Sequence, residues 1–220
     1  MITRAFMKKL LTTIAQHSLC YQKEVIDPRI YQAITSIPRS TFGGSNEDHA
    51  MSIGCDQTIS QPFMVAIMTD LLLRNVANTR RVMEIGAGSG YQCAILSSLF
   101  SHVVGIERIQ TLCKRAKVSI HACELDNITI HHANGQKGWP ERAPYDAILV
   151  ACGVYGELPF SWIEQLDDRG ILIAPHANQP NSSLVIKLWQ KQQNKLFLRP
   201  TFAKPLYCQF VPFIDSLSAD

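Results

Sequence analysis

The sequence predicts an α/β protein built on a doubly wound, mostly parallel sheet, and three observations carry that expectation. From residue 81 onward, short apolar runs alternate with helix-forming runs, the pattern of parallel strands covered on both faces. The first apolar run, Val82-Met83-Glu84-Ile85, ends in the glycine-rich turn Gly86-Ala87-Gly88-Ser89-Gly90, and a helix-forming run begins at Tyr91. The second, His102-Val103-Val104-Gly105-Ile106, ends in Glu107. Strand, glycine turn, helix, strand and acidic tip make up half of a Rossmann-like nucleotide-binding unit.

The elements follow in order. Ile2, Phe6, Leu10 and Ile14 recur at helical spacing, so a first helix is expected over residues 2–17. Asp27-Pro28 is an N-cap and first-turn pair for a second helix, with Ile30, Ala33, Ile34 and Ile37 on one face and Pro38 ending it. Residues 39–56 read as irregular around Gly43-Gly44-Ser45-Asn46. A third helix is expected from Gln61 to Leu73, burying Met64, Ile67, Met68, Leu71 and Leu72. Strands are expected at 81–85, 102–106, 128–132, 145–151 and 170–174, with helices at 90–99, 109–123 and 157–166 between them. Asp167-Asp168-Arg169-Gly170 reads as the turn before the fifth strand. Leu184–Trp189, Leu196–Leu198 and Tyr207–Val211 read as antiparallel strands at one edge.

Composition narrows the function classes. The 220 residues suffice for one sizeable α/β core, and 46% hydrophobic with 18% charged residues is ordinary for a globular chain. A net charge of +3 is too small to argue for a nucleic-acid partner. No 18-residue apolar run suggests a membrane span. Thr12, Thr13 and Gln16 interrupt what would be the apolar part of a signal peptide. The seven cysteines are odd in number, scattered and without a C-x-x-C spacing, so they read as buried thiols of a reducing cytoplasm rather than disulfides or a zinc site. His131 and His132 are adjacent, and neighbours in a strand face opposite ways. No metal is expected.

The glycines at 86, 88 and 90 are spaced more tightly than a dinucleotide fingerprint, and Glu84 stands just before the first of them. S-adenosylmethionine (SAM) has no phosphate to place on a helix N-terminus, and its ammonium and sulfonium groups suit a nearby carboxylate. SAM is therefore the expected ligand, with NAD as the alternative. Glu107, about twenty residues after the glycines, is placed to accept from ribose hydroxyls.

A second segment, Gly54-Cys55-Asp56-Gln57-Thr58-Ile59-Ser60-Gln61-Pro62, resembles the substrate loop of the protein-L-isoaspartate (D-aspartate) O-methyltransferase family. The resemblance extends to Ile37-Pro38-Arg39, to Val82–Gly90 with Tyr91-Gln92 and Ala94-Ile95-Leu96, and to Val104–Ile109. It continues through Gly138-Trp139, Ala143–Ile148 and Phe210-Val211-Pro212, and so covers nearly the whole chain. It implies a SAM-dependent methyltransferase domain over 61–220, preceded by a helical extension and substrate loop over 1–60, the two forming one compact unit. It implies a cytoplasmic, monomeric repair enzyme that esterifies the free α-carboxylate of isoaspartyl residues in damaged proteins and peptides. The ester then closes to a succinimide, which hydrolyses partly to aspartate.

The residues suit that chemistry. A carboxylate with a pKa of about 4 needs no general base, and in-line attack on a sulfonium methyl mainly needs alignment and exclusion of water. Thr58 and Ser60 offer hydroxyls for the catalytic side, with Gln57 and Ile59 beside them on the substrate side. Glu84, Gly86, Gly88, Ser89, Gly90, Glu107, Arg108, Asn134 and Gly135 are the expected cofactor residues. Ser60 also precedes a helix with proline in its first turn, so a plain N-cap is its other reading.

Three places depart from the family pattern. Ala133-Asn134-Gly135 stands where the family has Gly-Asp-Gly, whose aspartate accepts from the adenine amino group. Asn134 can accept only without charge assistance, worth about 1 kcal/mol less. Cys152-Gly153-Val154-Tyr155 replaces an Ala-Ala-Pro-like run, and Ala174-Pro175-His176-Ala177 replaces a Pro-Val-Gly turn. The 152–155 change raises a rival reading, a methyltransferase of the same scaffold acting on a small molecule or one specific peptide. Asn134 raises another, a SAM-binding relative with weak catalysis.

Overall fold

A computed structural model describes residues 4–21 and 25–215. Helix α1 runs over Arg4–Leu19, with Leu10 and Ile14 buried as the spacing requires. Ile2 and the side chain of Phe6 lie outside the described residues. Helix α2, Pro28–Ser36, is capped by Asp27, whose carboxylate accepts from the Arg29 N–H, and it buries Ile30, Ala33 and Ile34. Residues 39–42 form one 3-10 turn.

The irregular stretch expected over 39–56 is corrected here. Strands β1 (Met51–Gly54) and β2 (Gln57–Ile59) pair as a hairpin. Cys55 and Asp56 both take φ near +55°, the conformation of a tight hairpin turn. The usual Asn-Gly signal is missing, and strands of four and three residues with a register shift are too short to alternate legibly.

Helix α3, Pro62–Asn75, is buried on every side from Pro62 to Leu72, not only along the expected stripe. The polar groups this takes in are satisfied. Thr69 donates to Val65 O and accepts from Gln92, while Asp70 accepts the Asp27 N–H at 2.8 Å and pairs with Arg74 at 2.6 Å.

The large sheet begins with β3 (Arg81–Ile85), followed by helix α4 (Tyr91–Ser97), β4 (His102–Glu107), helix α5 (Gln110–Ala122) and β5 (Ile128–His132). It continues through β6 (Tyr145–Val150), β7 (Val154–Tyr155), helix α6 (Phe160–Gln165) and β8 (Leu166–Ala177). It ends with β9 (Leu184–Gln192), β10 (Lys195–Arg199) and β11 (Tyr207–Cys208). The spatial order is β10-β9-β8-β6-β3-β4-β5, with β7 beside β8 and β11 beside β9. Strands β3 to β8 pair in parallel, and β9 joins β8, β10 and β11 antiparallel.

Some boundaries differ from expectation. Of the strand expected over Tyr207–Val211, only Tyr207 and Cys208 pair, as β11. Asp167–Gly170 lies inside β8, which starts at Leu166, and Arg169 at φ +63° makes an irregularity in the pairing with β6. The turn-forming residues are there, but they bulge a strand instead of ending one. The cysteines also need correcting. Cys93, Cys113 and Cys152 are buried, Cys123 and Cys208 partly so, and Cys20 and Cys55 are exposed; all seven are unpaired.

The chain leaves β3 toward β4 and β5, then returns to β6 on the other side of β3. Ligands of such sheets sit at that reversal, outside the carboxyl ends of the strands. One hydrophobic cluster joins α1, α2 and α3 to the α4–α5 face of the sheet. No helix among the described residues is long and apolar enough to cross a membrane.

Candidate functional site

At the carboxyl ends of β3, β4 and β6 three hollows adjoin. An inner chamber is bounded by Ser60, Ile59, Glu84, Gly86, Tyr91 and Phe210. A cleft beside it runs along Gly86, Gly88, Glu107, Arg108 and Gly135. An outer groove runs past Ser60, Tyr155, Ser183, Tyr207 and Phe210, and no charged side chain among the described residues lines it. Thr58 borders all three.

The glycine turn is shaped by its hydrogen bonds. Gly86 and Ala87 donate to Ile106 O, and Gly88, at φ +52°, donates to Glu107 Oε2 at 2.7 Å. Glu107 Oε1 accepts the Ile109 N–H at 2.8 Å. The buried Glu107 carboxylate thus ties the turn to the tip of β4 and keeps lone pairs for hydroxyl donors. Gly90, at φ +85°, faces the other way, where a Cβ would press on Ala116 at 3.2 Å and Ile120 at 3.3 Å. Its place is the packing of α4 on α5, away from the three hollows.

Glu84 is 1% exposed, and its Oε2 is a buried oxygen with no partner among the described residues. Burial lifts its pKa to about 8, the nearby Glu107 adds to the rise, and a hydrogen bond with the Cys93 thiol opposes it. A buried acceptor without a donor is rare in a folded protein and calls for a ligand group. An ammonium would satisfy it, so the chamber fits the amino-acid end of SAM.

The substrate loop is set by groups to which the motifs gave no role. Arg39, 2% exposed, donates to the main-chain carbonyls of Ser45 (2.5 Å), His49 (3.0 Å) and Ser60 (2.9 Å). Burial lowers its pKa, against the opposing influence of Tyr91 and Asp48. Ser60 is not an N-cap. Gln61 holds that position, and the first turn of α3 is satisfied by Asp48, which accepts the Phe63 N–H at 2.8 Å. Ser60 borders both the chamber and the groove. Gln57 lines the cofactor-side cleft instead of the outer groove, and Ile59 is buried. Ser89 borders the chamber, while Asn134 stands one residue outside the cleft that Gly135 lines.

The departures at 152–155 and 174–177 have structural partners. Gly153 donates to Val211 O and accepts from Phe213 N, both at 2.8 Å, so this loop holds the tail segment across the sheet edge. Val154 pairs with His176, whose Nε2 lies 2.7 Å from Gly156 O while its Nδ1 lies 3.0 Å from Lys187 Nζ. That network assigns the proton to Nε2. Cys152, in the loop expected to border the site, lines the cleft; Ala151 and the tail residues 210–214, to which no motif gave a site role, border the chamber or cleft. The signal was present in Phe210-Val211-Pro212, which carried the resemblance without any chemistry of its own. Among the described residues no group of three His, Cys, Asp or Glu side chains could hold a metal ion.

A sequence profile described as protein-L-isoaspartate(D-aspartate) O-methyltransferase matches residues 8–218. The protein-L-isoaspartate O-methyltransferase of Serratia proteamaculans is 42% identical over 187 residues, covering 82% of this chain and 86% of that one. That of Pectobacterium atrosepticum is 37% identical over 213 residues, covering 94% and 96%. A solved protein-L-isoaspartate O-methyltransferase superposes with a TM-score of 0.80 at 26% identity, over 96% of this chain and 67% of that one. A putative one from Plasmodium falciparum, solved with S-adenosyl-L-homocysteine, gives 0.78 at 22% identity, over 95% and 98%, and bears on the fold alone. This chain belongs to the protein-L-isoaspartate(D-aspartate) O-methyltransferase family.

Proposed function

We propose that the protein is a SAM-dependent O-methyltransferase acting on the free α-carboxylate of isoaspartyl residues in damaged proteins and peptides. One observation carries this beyond family membership. The hydroxyl-bearing loop Thr58–Ser60 and the turn Gly86–Gly88 with Glu84 face one another across a single chamber.

SAM, when bound, supplies an electrophilic methyl on a positively charged sulfur. Glu107 is the acceptor for ribose hydroxyls, and Glu84 the acceptor for the ammonium. The substrate carboxylate, with a pKa of about 4, arrives ionised, so no side chain has to remove a proton. Thr58 and Ser60 donate hydrogen bonds that orient it without neutralising it. Phe210 and Ile59 exclude water, which would solvate the nucleophile. Arg39, holding the Ser60 carbonyl, fixes the loop relative to the chamber. The uncharged groove suits peptides of varied sequence.

A monomeric, cytoplasmic protein without a nucleic-acid partner is part of this reading, supported by unpaired cysteines and a net charge of +3. Labelled SAM offered with an isoaspartyl peptide and its aspartyl counterpart tests the function. Label is expected on the isoaspartyl peptide alone. Equal label, or none, favours a different substrate, the reading that Tyr155 in the altered 152–155 loop would support, since it lines the groove.

A further inference from the structure

The tail segment 207–215 crosses the open end of the sheet, and its last described residue meets Asn134. Phe213 lies over Gly135, where a Cβ would come within 3.2 Å of its ring, and stands edge-on to Trp162 at 5.5 Å. Trp162 Nε1 in turn donates to Gly135 O at 2.7 Å. Beyond this clamp, Asn134 Nδ2 donates to Asp215 Oδ1 at 2.7 Å, while Asn134 Oδ1 accepts the Gln136 N–H at 2.9 Å.

The cleft that ends here has a definite chemistry. Glu107 marks its inner part, and Ile85, Ile106, Val211, Phe213 and Ile214 make much of its wall apolar. A flat aromatic base suits such walls, and an amino group on its edge would look for an acceptor at the end of the cleft, beside Gly135 and Ile214. Asn134 offers only a weak one: its uncharged oxygen already accepts from Gln136, and its NH2 is aimed at the tail. A carboxylate has about four acceptor positions, and Asn134 fills one of those on Asp215.

We propose that Asp215, carried on the tail segment and steered by Asn134, is the acceptor for the adenine amino group of the cofactor. The inference rests on the cofactor reading above. It makes the 134 position a positioning residue and moves the base-reading charge to a segment distant in sequence. The exchange would restore the charge assistance that Asn134 lacks.

The test is calorimetric titration of the full chain with S-adenosylhomocysteine and with its inosine counterpart, in which a carbonyl replaces the amino group. Asp215→Asn keeps an oxygen for Asn134 Nδ2 and so keeps the tether, but removes the charge. It is expected to weaken S-adenosylhomocysteine about fivefold and to erase most of the preference over the inosine form. Adding Asn134→Asp to Asp215→Asn is expected to restore both affinity and preference. An unchanged Kd and an unchanged preference in Asp215→Asn would overturn the proposal and leave Asp215 as a tether only. A loss of affinity that is equal for the two ligands would overturn it as well. Glu107→Ala separates this from the cofactor reading. If it binds S-adenosylhomocysteine like the parent, the cofactor does not lie in this cleft and both readings fail.

Discussion

Glu84 should make cofactor binding a proton-releasing event. In the free protein its carboxyl is buried, one oxygen has no partner, and its pKa stands at about 8. At pH 7 about nine-tenths of the molecules then hold the proton. An ammonium brought against Oε2 favours the charged carboxylate, so binding expels that proton. Because the bound form is the deprotonated one, affinity rises with pH, by up to about tenfold per unit between pH 6 and 7.5. The assay is titration calorimetry with S-adenosylhomocysteine in two buffers of different ionisation heat. The expected release is about 0.9 proton per site at pH 7, and Glu84→Gln abolishes both the release and the pH dependence. Zero proton exchange with a flat Kd, and Glu84→Gln binding like the parent, would refute the reasoning. The same raised value acts on the free protein's stability. The folded state keeps a proton that the unfolded chain gives up near its ordinary 4.5, so stability falls as pH climbs from there through about 8.

Further expectations follow from the loop and the turn. Ser60→Ala should lower turnover about tenfold or more while changing S-adenosylhomocysteine affinity little, whereas Glu107→Ala should weaken that affinity by a similar factor; steady-state kinetics beside calorimetry checks the split. A stability loss in Ser60→Ala with intact turnover would return the serine to a purely structural role. Arg39→Lys should cost about 2 kcal/mol in a denaturant titration, since an ammonium cannot span carbonyls on three segments as the fork does. Its kcat should fall with little change in cofactor affinity, and a loss below about 0.5 kcal/mol would show that the fork is dispensable.

The parts of the fold read correctly were those with strong periodicity or punctuation. Val82–Ile85 and Tyr145–Val150 are mostly apolar, each interrupted by one buried acid (Glu84 and Asp146), because both faces of a central parallel strand are covered. Asp27-Pro28 marked a helix start because cap chemistry is local. The β1–β2 hairpin was not legible, because its turn uses Cys55 and Asp56 at positive φ in place of glycine or asparagine. Asp167–Gly170 misled because residues that favour a turn also tolerate a bulge. In the site, glycines and carboxylates adjacent in sequence were visible, while Arg39 and Asp215 were not. Their partners, Ser60 and Asn134, stand 21 and 81 positions away, and only the folded chain joins them.

The burial of α3 over its first eleven residues bears on how this enzyme can fail. The loop that presents Ser60 runs directly into a helix with no solvent-facing side for its first eleven residues. Elements so enclosed open only with the whole molecule. The Ser60 hydroxyl therefore has no private route to disorder, and heat or denaturant should extinguish catalysis and tertiary structure in one common transition.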